Sequence, residues 1–236
     1  MFIWLVFKFF PISYISFAVF TVFMGVELVI MDYDGTLVDS EPVRQRFFHE
    51  LCTKNNKPDP AEVIKKTYNT DAGFEVYSRM GFNLEEDLLY IWGEFIKFFN
   101  ENPAPIFPYV RETISRIKKL NKKLALASAN SIRIISPSLQ RNGLEPAFDI
   151  IVTTEDSERK ATILKKCADK LGVKNYRNVI SVGDTQDDIT GAGSLGMIAI
   201  AVGYGGFCSA DLLKKHSPSE LVLKPAGLLH AIEKYL

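Results

Sequence analysis

Short apolar runs alternate with amphipathic stretches along the chain from residue 26 onward. The apolar runs predict strands at VELVIM (26–31), KLALAS (123–128), FDIIVT (148–153), NVISVG (178–183) and MIAIAV (197–202). Amphipathic helices are predicted between the later strands, near residues 109–120, 132–142, 160–171 and 187–195. This alternation is typical of a parallel sheet that helices cover on both faces. We therefore predict an α/β fold.

A long helical segment is inserted between the first two predicted strands. About 90 residues separate these strands, whereas a single crossover helix needs on the order of a dozen. Residues 41–103 show helical patterns only, and the proline-rich NPAPIFP marks the return to the sheet. Aromatic side chains recur at helical spacing in this segment, which indicates packing. We predict a Rossmann-like core of residues 24–40 and 104–236, with a small all-helical insert at 41–103.

The first 23 residues, MFIWLVFKFFPISYISFAVFTVF, are almost wholly apolar, and Lys8 is the one charged residue among them. A run of this length is sufficient for a bilayer-spanning helix. A cleaved signal is disfavoured because no basic region precedes the run and no small-residue cleavage site follows it. A membrane anchor would leave almost no linker between the bilayer and the first strand. The alternative is that residues 1–23 are a mis-assigned extension and that the protein starts at Met24. A membrane association is predicted only through residues 1–23.

The charge balance argues for a small-molecule partner. Lysine plus arginine and aspartate plus glutamate number 28 each, so the chain offers no basic field for nucleic acid. The three cysteines, Cys52, Cys167 and Cys208, are far apart and lack CxxC spacing, which argues against a disulfide framework or a zinc site. We predict a cytoplasmic protein, with membrane anchoring as the alternative.

Polar side chains collect where the predicted strands end. They are Asp32 and Asp34 after the first strand, Ser128 at the end of the second, Asp184 and Asp188 after the fourth, and Lys160 at the start of the helix after the third. In an open parallel sheet, the loops at the carboxyl ends of the strands form the ligand crevice. Phosphoryl transfer requires these residue types. Carboxylates can share a Mg²⁺ ion, while a lysine and a hydroxyl group bind the phosphate oxygens.

The stretch DYDGTL, residues 32–37, resembles the Asp-x-Asp-Gly-Thr-Leu signature of phosphatases in the haloacid dehalogenase superfamily. The resemblance extends from Val26 to the C-terminus, because Ser128, Lys160 and GDTQDD (183–188) follow in the order of the other family signatures. It implies a Rossmann-like core with a helical cap that closes over the site. The implied cofactor is Mg²⁺, and the implied substrate is a small phosphorylated metabolite.

The resemblance also implies a role for individual residues. Asp32 is the expected nucleophile, which forms an aspartyl-phosphate, and Asp34 is the expected acid and base. Expected phosphate contacts are Ser128, Ala129 and Lys160, with Arg159 as an alternative to Lys160. Expected metal ligands are Asp32, Asp34 through its backbone carbonyl, Asp184 and Asp188, with Asp187 competing for the last position.

These implications give a leading function and two alternatives. The leading prediction is a Mg²⁺-dependent phosphomonoester hydrolase with phosphoglycolate or a sugar phosphate as substrate. Asp34 favours phosphate esters over halides, because expelling a halide needs no proton. The alternatives are a phosphomutase with the same aspartates and a membrane-tethered, non-catalytic binding protein on the same fold. Arg44, Arg46 and Arg79 are candidate contacts for a second anionic group, or else solvated charges.

Overall fold

The computed structural model describes residues 25–67, 74–153 and 159–236. The predictions for residues 1–23 therefore lie outside the described residues. Across the three described ranges, no helix combines the length and the apolar character that crossing a bilayer requires.

The described residues contain a six-stranded parallel sheet with the order β3-β2-β1-β4-β5-β6. Its strands are β1 (Leu28–Met31), β2 (Lys123–Ala127), β3 (Ile150–Val152), β4 (Val179–Gly183), β5 (Ile198–Val202) and β6 (Glu220–Val222). Strands β1 to β5 begin and end within two residues of the predicted positions. The pattern missed β6, because this short edge strand is only three residues long and begins with a glutamate.

Ten α-helices accompany the sheet in the described ranges. They are α1 (Glu41–Lys54), α2 (Ala61–Thr67), α3 (Glu75–Arg79), α4 (Leu84–Glu101), α5 (Val110–Lys119), α6 (Ile132–Arg141), α7 (Lys160–Lys170), α8 (Gln186–Ser194), α9 (Ala210–Lys215) and α10 (Leu228–Glu233). The predicted helices near 109–120, 132–142, 160–171 and 187–195 correspond to α5, α6, α7 and α8.

The central strand shows why helices lie on both faces of the sheet. Successive side chains of a strand point to opposite faces, and all four residues of β1 are buried. Val29 and Met31 belong to one apolar cluster, which includes buried residues of α5 and α10. Leu28 and Ile30 belong to a second cluster, with buried residues of α7 and α8. The predicted α/β fold with a parallel sheet between helices is confirmed.

Helices α1 to α4 form the insert between β1 and β2, and aromatic rings hold α1 against α4. The ring of Phe47 on α1 lies 5.2 Å from that of Phe95 and 5.5 Å from that of Phe98, both on α4. Contacts at these centroid distances add to the stabilisation that burial provides. The described part of the insert is thus helical, as predicted, whereas its division from the core at residues 41 and 103 stays a prediction.

We expect Leu126→Ala to destabilise the fold far more than Leu89→Ala. Leu126 on β2 is fully buried, while the side chain of Leu89 on α4 is 87% exposed. Truncating a buried leucine removes apolar contacts and leaves a cavity, which costs about 2–5 kcal/mol, whereas an exposed site changes stability by about 0.5 kcal/mol or less. Urea unfolding of both variants measures the difference. Equal midpoints would contradict the assignment of β2 to the core.

Candidate active site

The carboxyl ends of β1, β2 and β4 meet at one edge of the sheet. The strand register aligns Met31 with Leu126 of β2 and with Val182 of β4. The pairing with β4 continues one residue further, because the Asp32 N–H donates to the Val182 carbonyl oxygen at 2.9 Å. Residues that directly follow these three strands, far apart in sequence, are therefore neighbours in space.

Gly35 turns the chain away from the sheet edge directly after the two aspartates. Its φ is +67°, in the left-handed region that glycine adopts without strain. A Cβ atom at this position would lie 2.1 Å from Asp184 Oδ2, so the backbone passes against that carboxylate. The glycine of the DYDGTL signature is required both for the turn and for the close approach.

Asp188 is oriented by the start of α8. Its Oδ2 accepts hydrogen bonds from the Thr185 N–H at 3.0 Å and from the Thr185 hydroxyl at 2.7 Å, and Thr185 is the N-cap of the helix. This reciprocal capping arrangement fixes the side chain. Asp188 is buried whereas Asp187 is exposed. The structure therefore brings Asp188 to the sheet edge and leaves Asp187 at the surface.

Lys160, the first residue of α7, reaches the same edge with its ammonium group. Its Nζ lies 2.6 Å from Asp32 Oδ1 and 2.6 Å from Asp188 Oδ1, and it donates to the Ala127 carbonyl oxygen at 2.9 Å. The neighbouring Arg159 is exposed at the N-cap of α7. Of the two cations weighed from the sequence, Lys160 is shown in contact with Asp32 and Asp188.

Asp184 carries the least compensated charge of the site. Its side chain is almost fully buried, and neither carboxylate oxygen has a hydrogen-bond partner among the described residues. Asp32, Asp184 and Asp188 each offer an oxygen within 4.8 Å of the others. A buried carboxylate without a partner is costly, and hard oxygen donors at this spacing fit a divalent cation. Asp34 does not contribute its side chain to this group.

Burial shifts the protonation of the aspartates. It raises the pKa of Asp32 to about 7, against the opposing effect of the Lys160 charge, and Asp188 and Asp34 add to the rise. Burial, followed by the charges of Asp32 and Asp188, raises the pKa of Asp184 well above its usual range. Burial alone would lower the pKa of Lys160, but Asp188 and Asp32 raise it above its usual value. An added positive charge would therefore stabilise the ionised aspartates of the site.

Asp34 has a separate environment, to which the residues that follow β2 contribute. Its Oδ2 accepts a hydrogen bond from Asn130 Nδ2 at 2.9 Å. Burial raises the pKa of Asp34, and the side chains of Ser40 and Asn130 are the two largest opposing effects. Ser128 is buried and its Oγ accepts from the Asn130 N–H at 3.0 Å, while Ala129 is exposed. No pattern in the sequence indicates the contact between Asn130 and Asp34, which lie 96 positions apart.

The loop after β5 borders the site on the side opposite β2, a position that the pattern of apolar residues does not indicate. A Cβ atom at Gly205 would lie 2.4 Å from the Gly35 carbonyl oxygen and 2.5 Å from Asp184 Oδ2. The Tyr204 hydroxyl donates to the Thr36 carbonyl oxygen at 3.3 Å. The glycines of AVGYGG (201–206) are the sequence signal, because glycine is used where a backbone approaches another group closely.

The three arginines of the insert have protein partners. Arg44 donates to both carboxylate oxygens of Glu41, at 2.5 and 2.7 Å, and its guanidinium lies over the rings of Phe48 and Phe207 at 5.0 and 5.2 Å. Arg79 pairs with Glu75 at 3.5 Å. Arg46 lies over the ring of Phe98 at 5.9 Å. Arg44 thereby joins α1 to the loop after β5.

The chain is similar to known proteins over most of its length. The family model described as haloacid dehalogenase-like hydrolase matches residues 29–202. The pyrophosphatase PpaX of Bacillus cereus strain AH820 is 24% identical over 214 residues, 87% of this chain and 96% of that protein. The phosphoglycolate phosphatase of Chromobacterium violaceum is 26% identical over 192 residues, 76% of this chain and 86% of that protein.

A solved structure supports the same fold. The crystal structure of a predicted phosphoglycolate phosphatase from Haemophilus somnus 129PT is similar with a TM-score of 0.76 and 22% identity, and the match covers 88% of this chain and 98% of that chain. At this identity the similarity shows that the fold is shared.

We expect Gly205→Ala to reduce catalytic turnover by at least about 10-fold, since a misplacement of about 1 Å is enough to impair a catalytic site. The added methyl group would collide with the Gly35 carbonyl oxygen and with Asp184. Gly193→Ala on α8 is the matched control, because a Cβ atom there meets nothing within 4 Å. The control should keep wild-type activity and gain up to about 1 kcal/mol of stability from helix propensity. Steady-state rates and thermal unfolding measure both effects, and equal activity of the two variants would contradict the close approach.

Proposed function

The chain belongs to the haloacid dehalogenase-like hydrolases, and we propose that it is a Mg²⁺-dependent phosphomonoester hydrolase that acts through an aspartyl-phosphate. One observation carries the proposal. Lys160 bridges Asp32 and Asp188 beside the uncompensated Asp184 carboxylate, at the carboxyl edge of a parallel sheet. Such an arrangement suits a site that binds an anion together with a divalent cation.

Asp32 is the proposed nucleophile. One of its carboxylate oxygens bonds to phosphorus as the bond from phosphorus to the leaving oxygen breaks, which leaves an acyl phosphate on the enzyme. The Lys160 ammonium, 2.6 Å from Asp32 Oδ1, favours the ionised carboxylate that attack requires. Lys160, Ser128 and the backbone at Ala129 are the proposed contacts for the phosphate oxygens.

Asp34 is the proposed acid and base. It gives a proton to the leaving oxygen in the first step and takes a proton from the attacking water in the second step. The burial that raises its pKa favours the protonated form that the first step requires. Asp34 is therefore suited to a substrate whose leaving group is an alcohol.

The residues fit a Mg²⁺ ion on the chemistry of their donors, since each is a hard oxygen ligand and Asp184 has no hydrogen-bond partner in the described part of the chain. Asp32, Asp184 and the backbone carbonyl of Asp34 are the proposed ligands, with Asp188 supporting the ion's waters. The bound ion supplies positive charge that offsets the negative charge of the reacting phosphoryl group.

The proposed substrate is a small phosphorylated metabolite, with phosphoglycolate or a sugar phosphate as the leading choice. The curated relatives named phosphoglycolate phosphatase support this choice. Inorganic pyrophosphate is a further candidate, because other relatives carry the name pyrophosphatase. The helices of the insert are proposed to select among these compounds by closing over the site.

A phosphate-release assay tests the proposal on a panel of phosphoglycolate, sugar phosphates and pyrophosphate, with Mg²⁺ and with a chelator. We expect Mg²⁺-dependent release that Asp32→Asn abolishes, because an amide oxygen is a poor nucleophile and carries no charge. Asp211→Asn, at an exposed position of α9, is the matched control and should keep full activity. Turnover by the Asp32 variant would refute the mechanism. Transfer of phosphate to a second position of the substrate, with little release to water, would instead indicate a mutase.

Asp34→Asn should let the phosphoenzyme accumulate on p-nitrophenyl phosphate. Its leaving group needs little protonation, so Asp32 still reacts, but the water that hydrolyses the acyl phosphate lacks its base. We expect the steady-state rate to fall by about 10²–10⁴-fold. Intact mass after acid quench should show one added phosphoryl group. An unphosphorylated variant with wild-type turnover would exclude this role for Asp34.

Asp184→Asn should raise the Mg²⁺ concentration needed for half-maximal activity by at least about 10-fold, because a proposed carboxylate ligand becomes a neutral amide. Activity measured across a Mg²⁺ titration gives the value. An unchanged midpoint would remove Asp184 from the proposed ligands.

A further inference from the structure

We propose that Asn130 is a positioning residue that fixes the carboxyl group of Asp34 and leaves Oδ1 as the oxygen that exchanges the proton. The inference rests on the proposed role of Asp34 and deepens it, because it assigns the atom that acts and the side chain that orients it. The evidence is the set of hydrogen bonds around Asn130 at the junction of β2 and α6.

The orientation of the Asn130 amide is determined by its two partners. Its Oδ1 accepts a hydrogen bond from the Ser131 N–H at 2.7 Å, and its Nδ2 donates to Asp34 Oδ2 at 2.9 Å. A reversed amide would turn its NH₂ group toward the N–H donor and its carbonyl oxygen toward the carboxylate. Only one orientation satisfies both neighbours, so Asn130 is a donor to Asp34.

The backbone around Asn130 is also held in place. The Asn130 N–H donates to Ser128 Oγ at 3.0 Å, and Ser128 still pairs with β3 through its N–H, which donates to the Val152 carbonyl oxygen at 3.1 Å. Ser131 is the N-cap of α6, and its Oγ accepts from the Arg133 N–H at 3.2 Å. The amide is thus supported by a central strand on one side and by a helix start on the other.

The occupied Oδ2 of Asp34 determines where the transferred proton resides. In a protonated carboxyl group, one oxygen accepts hydrogen bonds as a carbonyl and the other carries the proton. Because Oδ2 accepts from Asn130, the proton belongs on Oδ1. In the first step the Oδ1–H bond breaks as the leaving oxygen gains the proton, and in the second step a water O–H bond breaks as Oδ1–H forms again. The neutral amide of Asn130 can donate to Oδ2 in both states.

Two aryl phosphates of similar size separate this role from a structural one. Phenol has a pKa of about 10, like the tyrosine side chain, whereas p-nitrophenol is far more acidic and leaves without an acid. With enzyme in excess over phenyl phosphate or p-nitrophenyl phosphate, the release of the phenol in a single turnover measures the first step alone. The variants are Asn130→Ala and the matched control Asn142→Ala. Asn142 lies at the opposite end of α6, where its side-chain amide donates to the Ser138 carbonyl oxygen.

We expect Asn130→Ala to slow release from phenyl phosphate by at least about 10-fold and release from p-nitrophenyl phosphate by about 2-fold or less, since misplacement of the acid matters only where acid help is needed. The enzyme concentration that gives the half-maximal single-turnover rate should be unchanged for both esters. Asn142→Ala should match wild type. An equal loss on the two esters, or no loss on either, would overturn the inference.

Asn130→Asp is a second variant with nearly the same volume and an oxygen still available to the Ser131 N–H. It replaces the donor with an oxygen, so it should show the same selective loss even if the alanine variant is unstable. A wild-type ratio of the two rates in this variant would also overturn the inference. Failure of the wild-type protein to cleave either ester would instead refute the proposed function itself, on which the inference depends.

Discussion

The repulsion among buried carboxylates at one sheet edge is the constraint to which the rest of the site is adapted. Asp32, Asp184 and Asp188 lie together where water is largely excluded, so each ionised group raises the cost of ionising the next. Lys160 contacts two of the three and compensates part of this charge. Among the described residues, neither oxygen of Asp184 has a hydrogen-bond partner, so Asp184 carries the part of the repulsion that Lys160 does not relieve.

The topology of the sheet brings these groups to one place. Strand β1 is central, and the chain builds the sheet outward from it in one direction through β2 and β3 and in the other through β4, β5 and β6. The loops after β1 and β4 therefore diverge and leave a crevice at the carboxyl end. Lys160 enters this crevice from α7, although it follows the edge strand β3, because its long side chain extends back to Ala127.

The sequence was informative wherever a residue's role depends on its position relative to a strand. The apolar runs located β1 to β5, and the residues directly after them, Asp32, Asp34 and Asp184, followed from that placement. Within GDTQDD, the resemblance to the family favoured Asp188 over Asp187, and the structure places Asp188 in the buried capping arrangement at the start of α8. Contacts between distant segments were not accessible in the same way. The hydrogen bond from Asn130 to Asp34 depends on how two loops meet, and periodicity carries no information on that.

The stacking of Arg44 on Phe207 links the insert mechanically to the catalytic edge. Glu41 holds Arg44 and also packs against the backbone at Gly206, where a Cβ atom would lie 3.4 Å from the Glu41 side chain. The adjoining Gly205 lies against Asp184. Helix α1 therefore cannot shift as a rigid body without either separating Arg44 from Phe207 or carrying the loop along. In the second case, a displacement that begins in α1 would pass through the loop to the Asp184 carboxylate.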